Sequence, residues 1–166
     1  MATNKNYILS KLAAEKKLRR MALEIVENNA DEKQIILAGI KESGTVVAKN
    51  IQQFLKEFSK VKTELISIKL QKRKPEEVTI SKKINLDDKV VIVIDDVVNS
   101  GQTLLYALKP LLAFHPKKIQ TLVLVERRHN SFPVRPDYVG LSISTTLQEH
   151  IVVEVDKEKV LGAYLK

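Results

Sequence analysis

The segment Val90-Val91-Ile92-Val93-Ile94 is apolar at every position and is followed at once by two aspartates, Asp95 and Asp96. A strand with one face in water alternates apolar and polar residues. One that is apolar throughout has to be covered on both faces, as the central strands of a parallel sheet are. Ile35-Ile36-Leu37-Ala38-Gly39-Ile40 and Leu122-Val123-Leu124-Val125 have the same character. Between such runs the apolar spacing is helical: Leu18, Met21, Ala22, Ile25 and Val26 within residues 11–28, then Val46, Val47, Ile51, Phe54, Leu55 and Phe58 within 45–58. Strands alternating with helices predict an α/β fold, a mostly parallel central sheet flanked by helices.

The remaining elements are weaker signals. Ile66, Ile68 and Leu70 alternate with Ser67, Lys69 and Gln71, the strand period of two. The polar stretch Lys72-Arg73-Lys74-Pro75-Glu76-Glu77 is expected to be a mobile hairpin loop before Val78-Thr79-Ile80. A helix is expected from Thr103 to Phe114, bent at Pro110. Tyr138-Val139-Gly140 and Ile151-Val152-Val153-Glu154-Val155 suggest shorter terminal strands. No repeat or linker divides the chain, so residues 1–166 are expected to form one domain.

Composition narrows the function classes. Without cysteine there are neither disulfides nor thiolate metal sites, which suits a reducing compartment. The N-terminal segment is polar, unlike a signal peptide, and no apolar run approaches the ~20 residues of a membrane span. A cytoplasmic protein without a membrane partner is therefore expected. The 28 Lys and Arg residues outnumber 20 Asp and Glu, for a net charge of +8. That points to a polyanionic partner, nucleic acid or a phosphorylated substrate, or else to a solvated lysine-rich surface.

The chemistry is concentrated after the best strand. In open parallel sheets ligands bind beyond the carboxyl ends of the strands. There the chain reads Asp95-Asp96-Val97-Val98-Asn99-Ser100-Gly101-Gln102-Thr103 and leads into the expected helix. Adjacent carboxylates at the mouth of a buried strand repel unless sugar hydroxyls or a divalent cation occupy them. Asn99 to Thr103 offers small residues, two hydroxyls and converging amides at a helix start, a setting for an anion. Singly, the acidic pair reads equally as a solvated turn and Ser-Gly-x-Thr as a helix cap. Side by side, they describe a site for a ribose 5-phosphate.

The stretch VVIVIDDVVNSGQT resembles the binding signature for phosphoribosyl pyrophosphate (PRPP) in type I phosphoribosyltransferases. The likeness continues in Ile36 to Gly44, similar to the family's pyrophosphate loop. It continues again in Leu124 to His129 and Phe132 to Gly140, similar to its base-binding region. Among subfamilies the chain resembles the bacterial pyrimidine-operon regulator that is also a uracil phosphoribosyltransferase. The resemblance implies the type I fold, with a small hood formed by terminal segments. It implies that Asp95 and Asp96 hold the ribose hydroxyls directly or through Mg²⁺, making them the metal ligands as well. Asn99, Ser100, Gly101, Gln102 and Thr103 would take the 5-phosphate. Lys41, Glu42, Ser43 and Gly44 would wrap the pyrophosphate. Lys72, Arg73 and Lys74 would close over the site as the catalytic loop. Glu126, Arg127, Tyr138 and Val139 would meet the base.

Departures from the family pattern bear on the substrate. The 6-oxopurine enzymes carry an aspartate where Asn99 stands and a lysine where Glu126 stands, so hypoxanthine and guanine are disfavoured and uracil is the expected base. The pyrimidine regulator has Thr-Arg where this chain has Glu42-Ser43, Tyr at Asn99 and Arg at Gln102. Its segment matching Leu70 to Lys89 is longer. His129 is expected at the base pocket or an RNA surface, whereas His115, His150, Lys157, Lys159 and Lys166 read as surface groups. Arg127, Arg128 and Arg135 suit substrate, RNA or solvent alike. Two functions follow: a Mg²⁺-dependent enzyme acting on PRPP and a nucleobase, or an RNA-binding regulator sensing PRPP or a nucleoside monophosphate. The family also implies a homodimer.

Overall fold

The structure, a computed structural model, describes residues 4–71 and 74–166, and of 74–76 the backbone alone. The chain runs β1 (Asn6–Leu9), α1 (Lys11–Asn28), β2 (Gln34–Ile40), α2 (Lys41–Phe58), β3 (Lys62–Gln71), β4 (Lys74–Ile80), β5 (Val90–Val98) and α3 (Gln102–Ala107). A 3₁₀ turn (Lys109–Ala113), β6 (Lys118–Arg127), β7 (Tyr138–Ile143), β8 (Ile151–Val155) and β9 (Val160–Leu165) complete it. The main sheet has six strands in the order β4-β3-β2-β5-β6-β7, all parallel except β4, which runs antiparallel to β3. The expected α/β class is therefore observed. The expected hood is a second, antiparallel sheet of three strands, β1-β9-β8.

Strand alternation sorts the core into two layers. Ile35, Leu37, Ile92 and Ile94 face α1, α2 and the hood. Ile36, Ala38, Val91 and Val93 face α3 and the 3₁₀ turn. This explains why β5 and β2 carry no polar residue in their central stretches: both faces are covered. Helix α1 buries Ala14, Leu18, Met21, Ala22 and Ile25 at helical spacing, and Ser10 caps its start by accepting from the Ala13 amide at 3.1 Å. Leu9, Val153, Val160 and Ala163 bring the hood into the same layer. Each fully buried aliphatic side chain stabilises the fold by about 1.5–3 kcal/mol before the entropy of ordering is subtracted.

Four expectations need correction. Helix α2 begins at Lys41, not Thr45, so the Lys41 to Gly44 segment is its first turn rather than a loop. Strand β5 continues to Val98, paired through Val98↔Glu126, which places Asp95 and Asp96 within the strand. The helix expected over Thr103 to Phe114 divides into α3 and the 3₁₀ turn. Pro110 lacks an amide hydrogen and its ring collides with the carbonyl four residues back, so α-helical bonding stops there. Lys74 to Glu77 belong to β4 rather than to a loop; Pro75 is tolerated because β4 is an edge strand. Lys72 and Arg73 lie outside the described residues.

Tyr138, at the start of β7, is among the largest fully buried side chains. Its hydroxyl donates to Gln120 Oε1 at 2.9 Å and accepts from Asn28 Nδ2 at 3.3 Å, which satisfies it inside the core. Tyr138→Phe is expected to cost about 1 kcal/mol, a fall in Tm of about 2–4 °C, with nucleotide affinity unchanged. Thermal unfolding beside nucleotide titration checks this.

Candidate active site

Asp95 lies where the apolar part of β5 ends. It is 8% exposed, and its Oδ1 accepts from the Asp96 amide at 2.8 Å. Asp96 is half-buried and its Oδ1 accepts from the Val97 amide at 2.9 Å. Burial, then the neighbouring Asp96 carboxylate, raises the Asp95 pKa well above the ordinary carboxylate range; the Asp96 amide bond and the charge of Lys41 oppose this only in part. The ionised pair thus demands an outside partner, a hydroxyl pair or a cation.

Immediately beyond β5 the chain turns through Asn99, Ser100 and Gly101 into α3. Gly101 has φ of 90°, and a Cβ there would stand 3.0 Å from the Val134 carbonyl oxygen. A left-handed conformation and a close backbone approach together require glycine. The Ser100 carbonyl accepts from the amides of Ser131 (2.9 Å) and Phe132 (3.0 Å), which ties the turn to the β6–β7 connection. The Ser100 hydroxyl oxygen accepts from the Gln102 amide at 3.3 Å. A pocket of about 100 Å³, several water volumes, is lined by Asp95 and by residues from Val97 through Leu104. With α3 only six residues long, an anion here would depend on loop amides and hydroxyls more than on the helix dipole anticipated from the sequence.

The first turn of α2 presses against the other side of Asp95. A Cβ at Gly44 would stand 2.6 Å from the Ile94 carbonyl oxygen and 3.4 Å from Asp95 Oδ1, so only glycine permits this approach. Lys41 has φ of 56°, and the Thr45 hydroxyl bonds its carbonyl while lying 3.2 Å from Ser67 Oγ. From here a groove of about 980 Å³ opens between α2, β3 and the hood. Its charged lining is Lys41, Lys49, Lys69 and Lys157 together with Glu42, Asp156 and Glu158, and Lys49 lies 3.5 Å from Glu158. Lys49, Lys69 and Lys157 carry no common sequence signal, because they come from three separate elements and share no spacing. Lys157 in particular read as a solvated surface charge.

On the opposite flank, Glu126 is level with Val98 and Ser142. Its Oε2 accepts from the Ser142 hydroxyl at 2.8 Å, and Ser142 Oγ accepts from Arg128 Nε at 3.0 Å. Arg127 is buried and donates from NH2 to the Thr146 carbonyl at 2.6 Å. His129 donates its amide to the Arg127 carbonyl at 2.8 Å. The Tyr138 side chain does not join them, although it was expected near the base. Tyr138 faces the core, and the Val139 carbonyl accepts from Arg20 at 2.9 Å on the outer edge of β7. Their register explains it: Tyr138 pairs with Leu122, four residues before Glu126 on β6.

Asp95 and Asp96 provide two hard oxygen donors, and among the described residues no group of three or more His, Cys, Asp or Glu is placed to hold a metal alone. This donor set fits Mg²⁺, which is commonly bound by one or two carboxylates together with substrate phosphates.

Residues 5–158 match the family model described as Phosphoribosyl transferase domain. The chain belongs to the phosphoribosyl transferase family. The Bifunctional protein PyrR of Streptococcus pneumoniae (strain CGSP14) is 32% identical over 163 residues, covering 93% of this chain and 94% of the relative. That relative agrees with the subfamily resemblance seen in the sequence. The hypoxanthine phosphoribosyltransferase of Trypanosoma cruzi has the same fold, with TM-score 0.81 at 13% identity over 97% of this chain and 95% of that one. So has a hypoxanthine-guanine phosphoribosyltransferase of Bacillus anthracis, at TM-score 0.78 and 20% identity over 96% of each chain. The chain is a phosphoribosyltransferase, as its acidic strand end and phosphate turn suggested.

Because the folded state raises the Asp95 pKa, this carboxyl stabilises the fold below the ordinary carboxylate range. That contribution is lost as pH rises through the raised value. Asp95→Asn is therefore expected to unfold at a higher temperature than the parent on the alkaline side, by about 2–4 °C for each 1 kcal/mol. The difference should vanish in acid, and PRPP affinity should be lost. Thermal scans from about pH 3 to about pH 9 test the sign.

Proposed function

We propose that this phosphoribosyltransferase moves the ribosyl 5-phosphate of PRPP to uracil and releases pyrophosphate. The observation that carries the reading is the placement of Asp95, which touches both candidate anion sites: it lines the 99–103 pocket and lies against Gly44 of α2. A ribose spanning the two would put its hydroxyls at Asp95 and Asp96, its 5-phosphate in the turn and its pyrophosphate toward the lysine-lined groove. Mg²⁺, held by Asp95 and Asp96, would offset the charge of the pyrophosphate. During transfer the bond from ribose C1 to the pyrophosphate oxygen breaks, with its electron pair leaving on pyrophosphate. A bond from the base nitrogen to C1 forms, and that nitrogen loses its proton. Lys41, Lys49, Lys69 and Lys157 favour the departing anion electrostatically. Lys72, Arg73 and Lys74, at the junction of β3 and β4, would extend this cationic wall over the site.

Uracil is favoured by Glu126, an acceptor held by the Ser142–Arg128 chain, which suits a base presenting an N–H edge. Asn99 supplies no carboxylate of the kind a purine site would use. A second reading has the pocket sensing a nucleotide in an RNA-binding regulator. It is supported by the net charge of +8 and by Ser43 and Gln102, which stand where the resembled subfamily carries arginines.

Pyrophosphate release from PRPP and Mg²⁺, with each common nucleobase offered separately, tests the choice. Uracil is expected to support turnover, and the purines are not. Asp95→Asn/Asp96→Asn should lower the rate by at least ~10²-fold, the scale of a lost electrostatic stabiliser. Nucleotide binding with no turnover on any base, together with salt-sensitive RNA binding, would favour the regulator instead.

A further inference from the structure

Arg127 ends β6 and is only 8% exposed, yet among the described residues no ion pair includes it. Its NH2 donates to the Thr146 carbonyl at 2.6 Å. Its Nε is buried with no partner, and so is the Thr145 hydroxyl. A guanidinium taken out of water against one backbone carbonyl is costly, so packing alone gives no reason for an arginine here. The bond does have a geometric effect. Thr146 belongs to the 144–150 connection, which leaves β7 at Ile143, the register partner of Arg127, and enters the hood at Ile151.

The same connection is held at two other points. Glu149 Oε2 accepts from the Thr146 amide at 2.9 Å and from its hydroxyl at 3.1 Å. These bonds, with a smaller contribution from the charge of Arg127, lower the Glu149 pKa. His150 and Lys166 exchange two backbone bonds of 2.8 Å. Thr146 is thus clamped between a buried cation and a carboxylate, at the carboxyl end of the sheet where Glu126 and Asn99 also lie. The connection runs from that end into β8, whose last residue Val155 lines the lysine groove.

We infer that Arg127 is a positioning residue for the nucleobase half of the site. Through the Thr146 carbonyl it fixes the 144–150 connection as one wall of the base pocket, so base affinity depends on Arg127 by way of that wall. The inference rests on the ribosyl-transfer reading above. It separates the two halves of the ligand: the sugar phosphate contacts β5 and the 99–103 turn, which Arg127 does not hold.

The experiment compares uridine 5-monophosphate with ribose 5-phosphate, which lacks the base, on the full chain. Arg127→Met keeps the apolar stem and removes the donors; Glu149→Ala removes the other half of the clamp. Each is expected to weaken the nucleotide by about tenfold, the scale of one charge-assisted hydrogen bond, and to leave ribose 5-phosphate within about twofold. Hydrogen exchange should quicken at Thr146 while β5 keeps its protection. The double variant should bind about as weakly as either single one, since both act through one connection. Arg127→Lys, which keeps the charge without the planar fork, should recover only part of the affinity. Wild-type nucleotide affinity in Glu149→Ala, with loss in Arg127→Met, would mean direct contact with the base and would overturn the inference. Equal weakening of both ligands would also overturn it, as a general loss of structure. If the parent protein binds neither ligand, the ribosyl-transfer reading itself fails and the inference goes with it.

Discussion

Asp95 occupies the junction of β5, the first turn of α2 and the 99–103 turn, and a carboxylate there has to be satisfied by something other than bulk water. The amide of the next residue donates to it and orients it along the strand end. The neighbouring Asp96 adds repulsion rather than relief. Only close backbone approach makes such a junction possible: Gly44 lets α2 come down on the Ile94 carbonyl, and Gly101 lets the turn pass under Val134. The glycines and the acidic pair form one device. Adding a methyl group at Gly44 would push the first turn of α2 away from the end of β5, and neither would retain its relation to the other.

The sheet supplies the rigidity this device needs. In a parallel sheet all carboxyl ends lie on one edge, so β2, β5 and β6 deliver Lys41, Asp95 and Glu126 to the same side of the molecule. Burial on both faces holds those ends in fixed register, and the hood closes the space above them. Functional groups then vary by residue identity at strand ends while the frame stays constant. This is why solved structures at 13% and 20% identity share the fold.

Legibility in the sequence followed the range of the forces involved. The runs Val90 to Ile94 and Leu122 to Val125 were readable because burial on both faces leaves an unmistakable apolar record. The acidic pair and the Ser-Gly-x-Thr turn stood out as a candidate site because all their parts lie within nine consecutive residues. The start of α2 at Lys41 was not: Ser43 and Gly44 are poor helix formers, and what makes them helical is contact with β5, a tertiary effect. Strands β1 and β9 were missed because they are short and pair only with each other and β8. Tyr138 was misplaced because the sequence shows which residues neighbour the base-binding stretch but not the register that turns a side chain into the core. Lys49 and Lys69 were invisible as site residues, since three elements must fold together before they face one groove.

That groove changes the weight of the two departures noted in the motifs. Ser43 and Gln102 stand where the resembled subfamily has arginines, so two positive charges are missing from the motifs. Judged from the motifs alone, the pyrophosphate half looks poorly compensated. Yet at about 4 Å a single unit charge is worth ~1 kcal/mol in water and ~4 kcal/mol in the partly screened setting of a protein cleft. A cation therefore contributes according to where the fold puts it, not according to its distance along the chain. Lys49 on α2, Lys69 on β3 and Lys157 between β8 and β9 converge on the groove that begins at Lys41 and Glu42. Glu42, Asp156 and Glu158 line the same groove, and Glu158 lies 3.5 Å from Lys49, so the lysine charge there is partly neutralised. An anion entering this groove would meet a balance of charge set by tertiary structure rather than by the motif alone.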